Sequence, residues 1–352
     1  MHLRRSSPRG FSRQRGAVIV LVLVTLLLAA FLVAAFIRRS GTELLADARA
    51  NLGRELRAEA YSALESALAI VAAQRAADGE LHLVDPEWTE ALVRSGYEPA
   101  AGREVTVEFY DESARISLPR AEVDVLQSAL EGAGLDVSRA EQMARTLRAW
   151  MRPGDAEGAS DPDAPDYHRH EPAYRSARRP LLAWSELAAV EMDRRLFFDE
   201  DGNTTELAQA LMRDFSLHAF ARSNLNSASA SALTALGLGA AEVRALEAHR
   251  NFAPDGSEVR AWRSVAEAGA VLGHTALPAW LGTRIEALRL HVTVRQGGVV
   301  YRLMAVVGLG GTTGGARLPP DNAAGGERNR LDYPFAVLEI REDLEAPAPF
   351  QP

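Results

Sequence analysis

The sequence predicts an α+β protein in which a long N-terminal helix packs on an antiparallel sheet and a large all-α insertion interrupts that sheet. Three observations carry this. An apolar run near the N-terminus leads directly into an amphipathic helical pattern. Alternating, β-rich segments occur at 103–119 and return from 288 onward. Between them, roughly 170 residues lose the period-two pattern and read as helices and turns.

Composition narrows the function. The chain has 352 residues and 47% hydrophobic content, enough for more than one core. It contains no cysteine, which excludes disulfide and thiolate chemistry. Net charge is −8, so extended nucleic-acid binding would need a local basic face.

The first element is "RQRGAVIVLVLVTLLLAAFLVAAFIRR". From Ala17 to Ile37 there are 21 residues with one polar member, Thr25. At about 1.5 Å per residue the run spans about 31 Å of helix, enough to cross a bilayer. A secretory signal would have a shorter apolar core and a small-x-small cleavage site after it; "AAFIRRS" offers none. The leader before the run holds five Arg and no acid, against Arg38 and Arg39 beyond it. Positive-inside bias predicts a cytoplasmic N-terminus, with the bulk of the chain across the membrane, outside the cytoplasm.

From Thr42 to Ala77, Leu45, Ala48, Leu52, Leu56, Ala60, Leu64, Leu68 and Val71 recur at three- and four-residue spacing. The membrane helix is therefore expected to continue as one rod, with a bend near Ser40-Gly41. "REVTVEFYDESARISLP", 103 to 119, alternates and is expected to form a two-stranded hairpin turning at Asp111-Glu112-Ser113. "LRLHVTVRQGGVVYRLMAVVGL" is a second hairpin with its turn at Gln296-Gly297-Gly298, and "PFAVLEIRED" a final strand. The Gly-rich stretch at 308–329 reads as an excursion between strands; it lacks the Lys-Ser/Thr of a phosphate loop.

Within the insertion, "RSNLNSASASALTALGLGAAEVRALEAHRNF" reads as two short helices joined at Gly237-Leu238-Gly239, with Ser227 as the expected N-cap. This looks like a helix-hairpin-helix (SAM-like) unit. Such units can hold a phosphate on backbone N–H groups, but here Ala240, Ala241 and Glu242 follow the turn, and a structural role is expected. Asp155, Glu157, Asp161, Asp163 and Asp166 fall within twelve residues, interspersed with Gly and Pro. Oxygen-rich loops of this type supply calcium ligands; the bland reading is a solvated acidic loop. His168 and His170 adjoin it and admit a zinc reading. "DEDGNTTE", 199 to 206, fails as an EF-hand, because its sixth position is Thr204 and Gly202 is misplaced; it is expected to be a turn. No catalytic constellation appears, and no enzyme activity is expected.

These features together resemble one family. A basic leader ending in Gly and abutting an apolar helix is similar to the leaders of type IV pilins and pseudopilins. The resemblance implies cleavage by a prepilin peptidase between Gly16 and Ala17, then N-methylation of Ala17. Most members carry Glu at the fifth mature position; here it is Leu21. The absence of that Glu, the "DESARISL" segment, the helical insertion with "SNLNSASASAL" and the terminal strands resemble the K-type minor pseudopilin of type II secretion. "RAEAYSALESALAIV" and "RTLRAWMRPGDAEGASDPDAPDY" are similar to further segments of that family, with Ala149 and Arg152 where acids often flank the Trp. The resemblance implies a pilin-like fold and a place at the pseudopilus tip that initiates or caps assembly for protein export. The implied partners are other minor pseudopilins, the major pseudopilin, and secreted cargo or the outer-membrane channel. It also raises the calcium reading for the acidic loop. The expected organisation is leader 1–16, transmembrane helix 17–37, first part of the head 38–118, helical insertion 119–287 and second part of the head 288–352. The alternatives are a minor pilin of a type IV pilus and a membrane-anchored DNA receptor of a competence system.

Overall fold

The computed structural model describes residues 12–152, 167–169, 171, 173–190, 194–251, 261–273, 277–309 and 335–345. The chain divides into two compact units, Met1–Ala58 and Glu59–Pro352.

The first unit is helical. Helix α1 (Ser12–Asp78) begins in it and runs without interruption through Ser40-Gly41. Its apolar part has a mean hydropathy of 3.2 over 18 residues with none of that window buried, so it is long and apolar enough to span a membrane. Val18, Leu21, Phe31 and Ile37 are all well exposed.

In the second unit the end of α1 buries a stripe of Ala60, Ala63, Leu64, Ala67, Leu68 and Val71, the helical spacing read from the sequence. Helix α2 (Glu87–Arg94) sets Trp88 edge-on to Phe109 at 5.3 Å. Strand β1 (Glu104–Asp111) follows. The chain then leaves the sheet through a 3-10 turn, Glu112–Ala114, and enters a short strand, β2 (Ile116–Ser117).

Helices α3 (Val123–Gly132) and α4 (Val137–Met151) come next. Asp136 starts α4 by accepting a hydrogen bond from the Arg139 N–H at 3.0 Å. Helix α5 (Glu206–Asp214) is capped in the same way by Thr205. Strands β3 (Phe215–Ser216) and β4 (Ser223–Asn224) precede α6 (Ala230–Ala235) and α7 (Ala240–Asn251). Helix α8 (Val265–Leu272) starts at Ser264 and stops at Gly273, which is left-handed at φ 75°. Strand β5 (Leu281–Gly282) leads to the three long strands β6 (Ala287–Gln296), β7 (Val299–Gly308) and β8 (Ala336–Glu345).

The main sheet has the order β1-β6-β7-β8 and is antiparallel throughout. The β6–β7 turn is Gly297-Gly298, both at positive φ (55° and 82°), as a two-residue turn of this hand requires. Asp111 of β1 sits opposite Leu288 of β6. The whole of 112–286 therefore leaves and re-enters the sheet at adjacent strand ends, in the place of a hairpin connection. The hairpin expected within 103–119 does not form. β2 pairs in parallel with β3, inside the helical part, because the turn at 112–114 carries the chain off the sheet.

Two cores result. One face of the sheet buries Val107, Leu290, Val292, Leu303 and Ala305. Three links place the end of α1 on that face: Tyr61 to Glu342 at 2.5 Å, and Glu59 to both Tyr97 and Arg103 at 2.6 and 3.0 Å. The helical part has its own core, including Leu126, Leu147, Trp150, Phe197, Phe215, Leu233 and Trp262.

Candidate functional site: the junction of sheet and helical insertion

The chemistry-bearing side chains of the head converge where β1 hands the chain to the helices. Strand alternation aims Asp111 to the core face of β1, and the 3-10 turn folds Glu112 and Ser113 inward. Ser113 is fully buried and Glu112 is 2% exposed. A buried carboxylate needs partners. Glu112 has Arg289 of β6 at 2.6 Å, Arg115 at 3.6 Å and the Ser216 hydroxyl at 2.5 Å. Burial lowers the Arg115 pKa, and the neighbouring Glu112 opposes that shift.

Asp111 keeps some exposed surface as a residue, but its carboxylate group is enclosed. It accepts from the Ser113 hydroxyl at 2.5 Å and the Asn224 amide at 2.7 Å. Burial pushes its pKa up to about 6, against these bonds and one from Ser227. The Ser113 hydroxyl oxygen also accepts the Glu286 N–H at 3.0 Å, tying the exit of the insertion to its entrance.

The "SNLN" segment supplies the second half of the junction. Asn224 donates to the His82 carbonyl at 2.9 Å and accepts from the Asn226 N–H at 3.1 Å. Asn226 donates to the carbonyls of Trp262 and Thr283, both at 3.0 Å, and accepts the Trp262 N–H at 2.7 Å. Both Asn residues are buried, at 0% and 3% exposed. A buried amide is retained only where all its bonds are met. These two join β4, the stretch after α2, and the approaches to α8 and β6.

A cavity of about 470 Å³ opens beside the junction, lined by Asp111, Glu112, Arg115, Arg213, Arg289 and His291 among others. Burial and the nearby Arg289 hold the His291 pKa below its usual value. The carboxylate of Glu112 and the guanidinium groups of Arg115 and Arg289 neutralise one another here. The arrangement fixes one element on another.

The α6–α7 pair turns at Gly237, at φ 95°. The N-cap of α6 is Ser229, whose hydroxyl accepts the Ala232 N–H at 3.1 Å, two residues beyond the expected Ser227. Ser227 instead bonds Asp111. At the start of α7 the Gly239 N–H donates to the Glu242 carboxylate at 2.6 Å.

The sequence-predicted sites are dispersed. Gly16, Ala17 and Leu21 lie within α1, where Leu21 is 65% exposed. The leader before residue 12 lies outside the described residues, as do Asp155, Glu157, Asp161, Asp163, Asp166 and His170. Among the described residues there is no group of three or more metal-ligating side chains. The ends of the acidic loop are nevertheless pinned: Trp150 meets Tyr167 edge-on at 5.2 Å, and the Arg178 N–H donates to the Trp150 carbonyl at 3.0 Å. The stretch 199–206 is a turn, in which Asp199 accepts the Asn203 N–H at 2.7 Å.

Sequence reasoning missed the Glu112–Arg289 pair and the double role of Asn224 and Asn226. The signal for the first was an acid inside an otherwise strand-like run, read as a turn.

The model of the first domain of type II secretion system protein K matches residues 110–197, which begin at this junction. No curated protein sequence matches the chain significantly. Among solved structures, a chain from the crystal structure of the GspK-GspI-GspJ complex of the enterotoxigenic Escherichia coli type 2 secretion system is similar. The identity is 15% and the TM-score 0.56, covering 82% of this chain and 96% of that one. At that identity the likeness shows the fold. The family model that residues 110–197 match is that of the family the sequence resembles.

Proposed function

We propose that this protein is a minor pseudopilin of the type II secretion system, working by assembly and without chemistry of its own. The observation that carries this reading is the family match over 110–197, on a chain whose N-terminal helix is long and apolar enough to anchor it. The similar solved chain was crystallised in a complex with other Gsp subunits. Companion minor pseudopilins are accordingly the proposed partners here, with the major pseudopilin, prepilin peptidase, and cargo or the outer-membrane channel as further contacts.

Tip placement, where the chain would initiate or cap the pseudopilus, follows from Leu21. A carboxylate inside a membrane normally has a partner. A subunit with Leu21 cannot neutralise the N-terminal amine of a neighbour above it, yet it can present its own amine to a carboxylate-bearing subunit below. The insertion at 112–286 also enlarges the head, which disfavours repeated packing along a shaft.

Calcium is the proposed cofactor of the loop bearing Asp155, Glu157, Asp161, Asp163 and Asp166. The aromatic clamp at Trp150 and Tyr167 would hold the ends of that loop. We read the α6–α7 hairpin as a structural helix-hairpin-helix unit. The Glu242 carboxylate already occupies the Gly239 N–H that a phosphate would need, which argues against the DNA-receptor reading.

The experiment is immunogold labelling of pseudopili assembled with the full-length chain, together with purification of its membrane complexes. Label at one end and co-purifying minor pseudopilins are expected. Even labelling along the shaft would overturn tip placement.

A further inference from the structure

Strands β4 and β5 pair in parallel, Ser223 beside Leu281, and this sets Arg222 and Trp280 next to one another at the entrance to the pair. Trp280 is 41% exposed, yet its indole N–H is committed to the Leu236 carbonyl at 3.0 Å. The ring is therefore pinned while part of it stays in solvent. Arg222 is pinned by its stem, which lies across Gly282; a methyl group on that glycine would fall 2.9 Å from the Arg222 Cβ.

Beside these two residues lies a cleft of about 50 Å³, floored by the buried side chains of Ile116, Phe220 and Leu236. Arg120, from the turn Leu118–Arg120, also lines it, and both Arg120 and Arg222 are exposed. Cofactor sites run to about 300–1,000 Å³. This cleft has room for one short aliphatic side chain.

Two acids stand nearby and both are engaged. Glu122 reaches Arg148 at 3.9 Å, and Glu286 accepts the backbone N–H groups of Ala221 and Arg222 at 2.6 and 3.4 Å. Among the described residues, neither the Arg120 nor the Arg222 guanidinium has a hydrogen-bond or ion-pair partner. The chain as a whole carries a net charge of −8, so two idle cations on one cleft run against its composition.

Charge selects the occupant. A basic ligand is repelled, and a purely apolar one leaves both guanidinium groups without a partner. Arg grips a carboxylate through paired, charge-assisted hydrogen bonds. Trp and Arg are also the side chains that most often dominate the binding energy of an interface.

We propose that this cleft docks an extended acidic segment of another protein chain. A short aliphatic side chain of that segment enters the cleft over Ile116 and Phe220. Asp or Glu carboxylates flanking it meet Arg120 and Arg222, and the segment rests on the Trp280 ring. The contact goes beyond the assembly reading: it needs neither the membrane helix nor a place at the tip, and it stands or falls separately from them.

The test is selection of random peptides displayed on phage against the full-length chain in detergent. Enriched sequences should carry Asp or Glu next to Val, Ile or Leu. A synthetic peptide of the enriched sequence, with blocked ends, is then titrated by fluorescence anisotropy. Arg120→Gln and Arg222→Gln should each weaken binding about ten-fold, the loss of one charge-assisted contact. Trp280→Ala should weaken it too, and added salt should weaken binding to the wild type. Arg139→Gln, an equal change of charge at the exposed start of α4, should leave it unchanged. The three Arg positions are exposed, so these variants should keep the wild-type melting temperature. No enrichment, enrichment of peptides without acids, or an equal loss with Arg139→Gln overturns the proposal. Binding that appears only when residues 153–166 are deleted also overturns it, since the chain's own acidic loop would then be the occupant. Self-association of the wild-type chain that Arg222→Gln abolishes overturns it in favour of a second copy.

Discussion

Glu112 and Arg289 meet at 2.6 Å where the first strand of the sheet gives way to the helical insertion, with the carboxylate 2% exposed. The pair joins the first residue after β1 to the neighbouring strand β6. It holds the point of departure of the insertion against the sheet from which it departs.

Breaking that pair on one side should cost more than removing both charges. Glu112→Leu leaves Arg289 and Arg115 without their shared carboxylate. An unpaired buried charge costs about 3–5 kcal/mol; the low end applies, because Arg289 retains a fifth of its side-chain surface in solvent. The double replacement Glu112→Leu, Arg289→Met should recover part of the loss. Urea midpoints of the full chain in detergent measure both.

Asn226 should be irreplaceable by a shape-mimic. Asn226→Leu strands the Trp262 N–H and carbonyl and leaves the Thr283 carbonyl with the His82 ring alone. Each unmet buried group costs about 1–3 kcal/mol. Increased proteolysis between α7 and β6 is the expected readout; a cleavage pattern like that of wild type would contradict it.

The Asp111 pKa, raised to about 6 by burial, makes a signed prediction. Its unfolded value is about 3.9. Between these values the folded state binds more protons than the unfolded one, so this group's contribution falls as pH rises through the window and is lost above about 6. At about 1.4 kcal/mol per pKa unit the full effect is about 3 kcal/mol. Asp111→Asn should flatten the dependence of stability on pH between 4 and 6, measured by melting across buffers.

Processing is the prediction for the N-terminus. Gly16→Leu should block leader removal and leave membrane insertion intact, since the apolar run from Ala17 to Ile37 is unchanged. Mass spectrometry of the mature N-terminus decides: wild type should begin at a methylated Ala17. An intact leader, in cells with active peptidase, would refute the reading.

Calcium should stabilise the head by mass action. Chelation is expected to lower the melting temperature and open the loop between Trp150 and Tyr167 to protease. Asp161→Asn with Asp163→Asn should abolish that difference. No response of the wild type to chelator would sink the proposal.

The sequence by itself determined the elements whose period is local. The apolar run and the stripe Ala60, Leu64, Leu68 and Val71 needed only helical spacing. The Gly297-Gly298 hairpin needed only alternation and a turn that tolerates positive φ. The family resemblance rested on the same local segments. Tertiary structure decided what depends on partners distant in sequence. Asp111-Glu112-Ser113 has the polarity of a surface turn, and nothing nearby reveals that Arg289, Ser216 and Asn224 will bury it. Ser227 and Ser229 are equal candidates for a cap until Asp111 takes the first. Val337, Ile340 and Leu344 look like ordinary core residues of a strand. Their exposure arises because β8 falls at the sheet edge, past the cover of α1, and strand order is set by long-range pairing that no local pattern encodes.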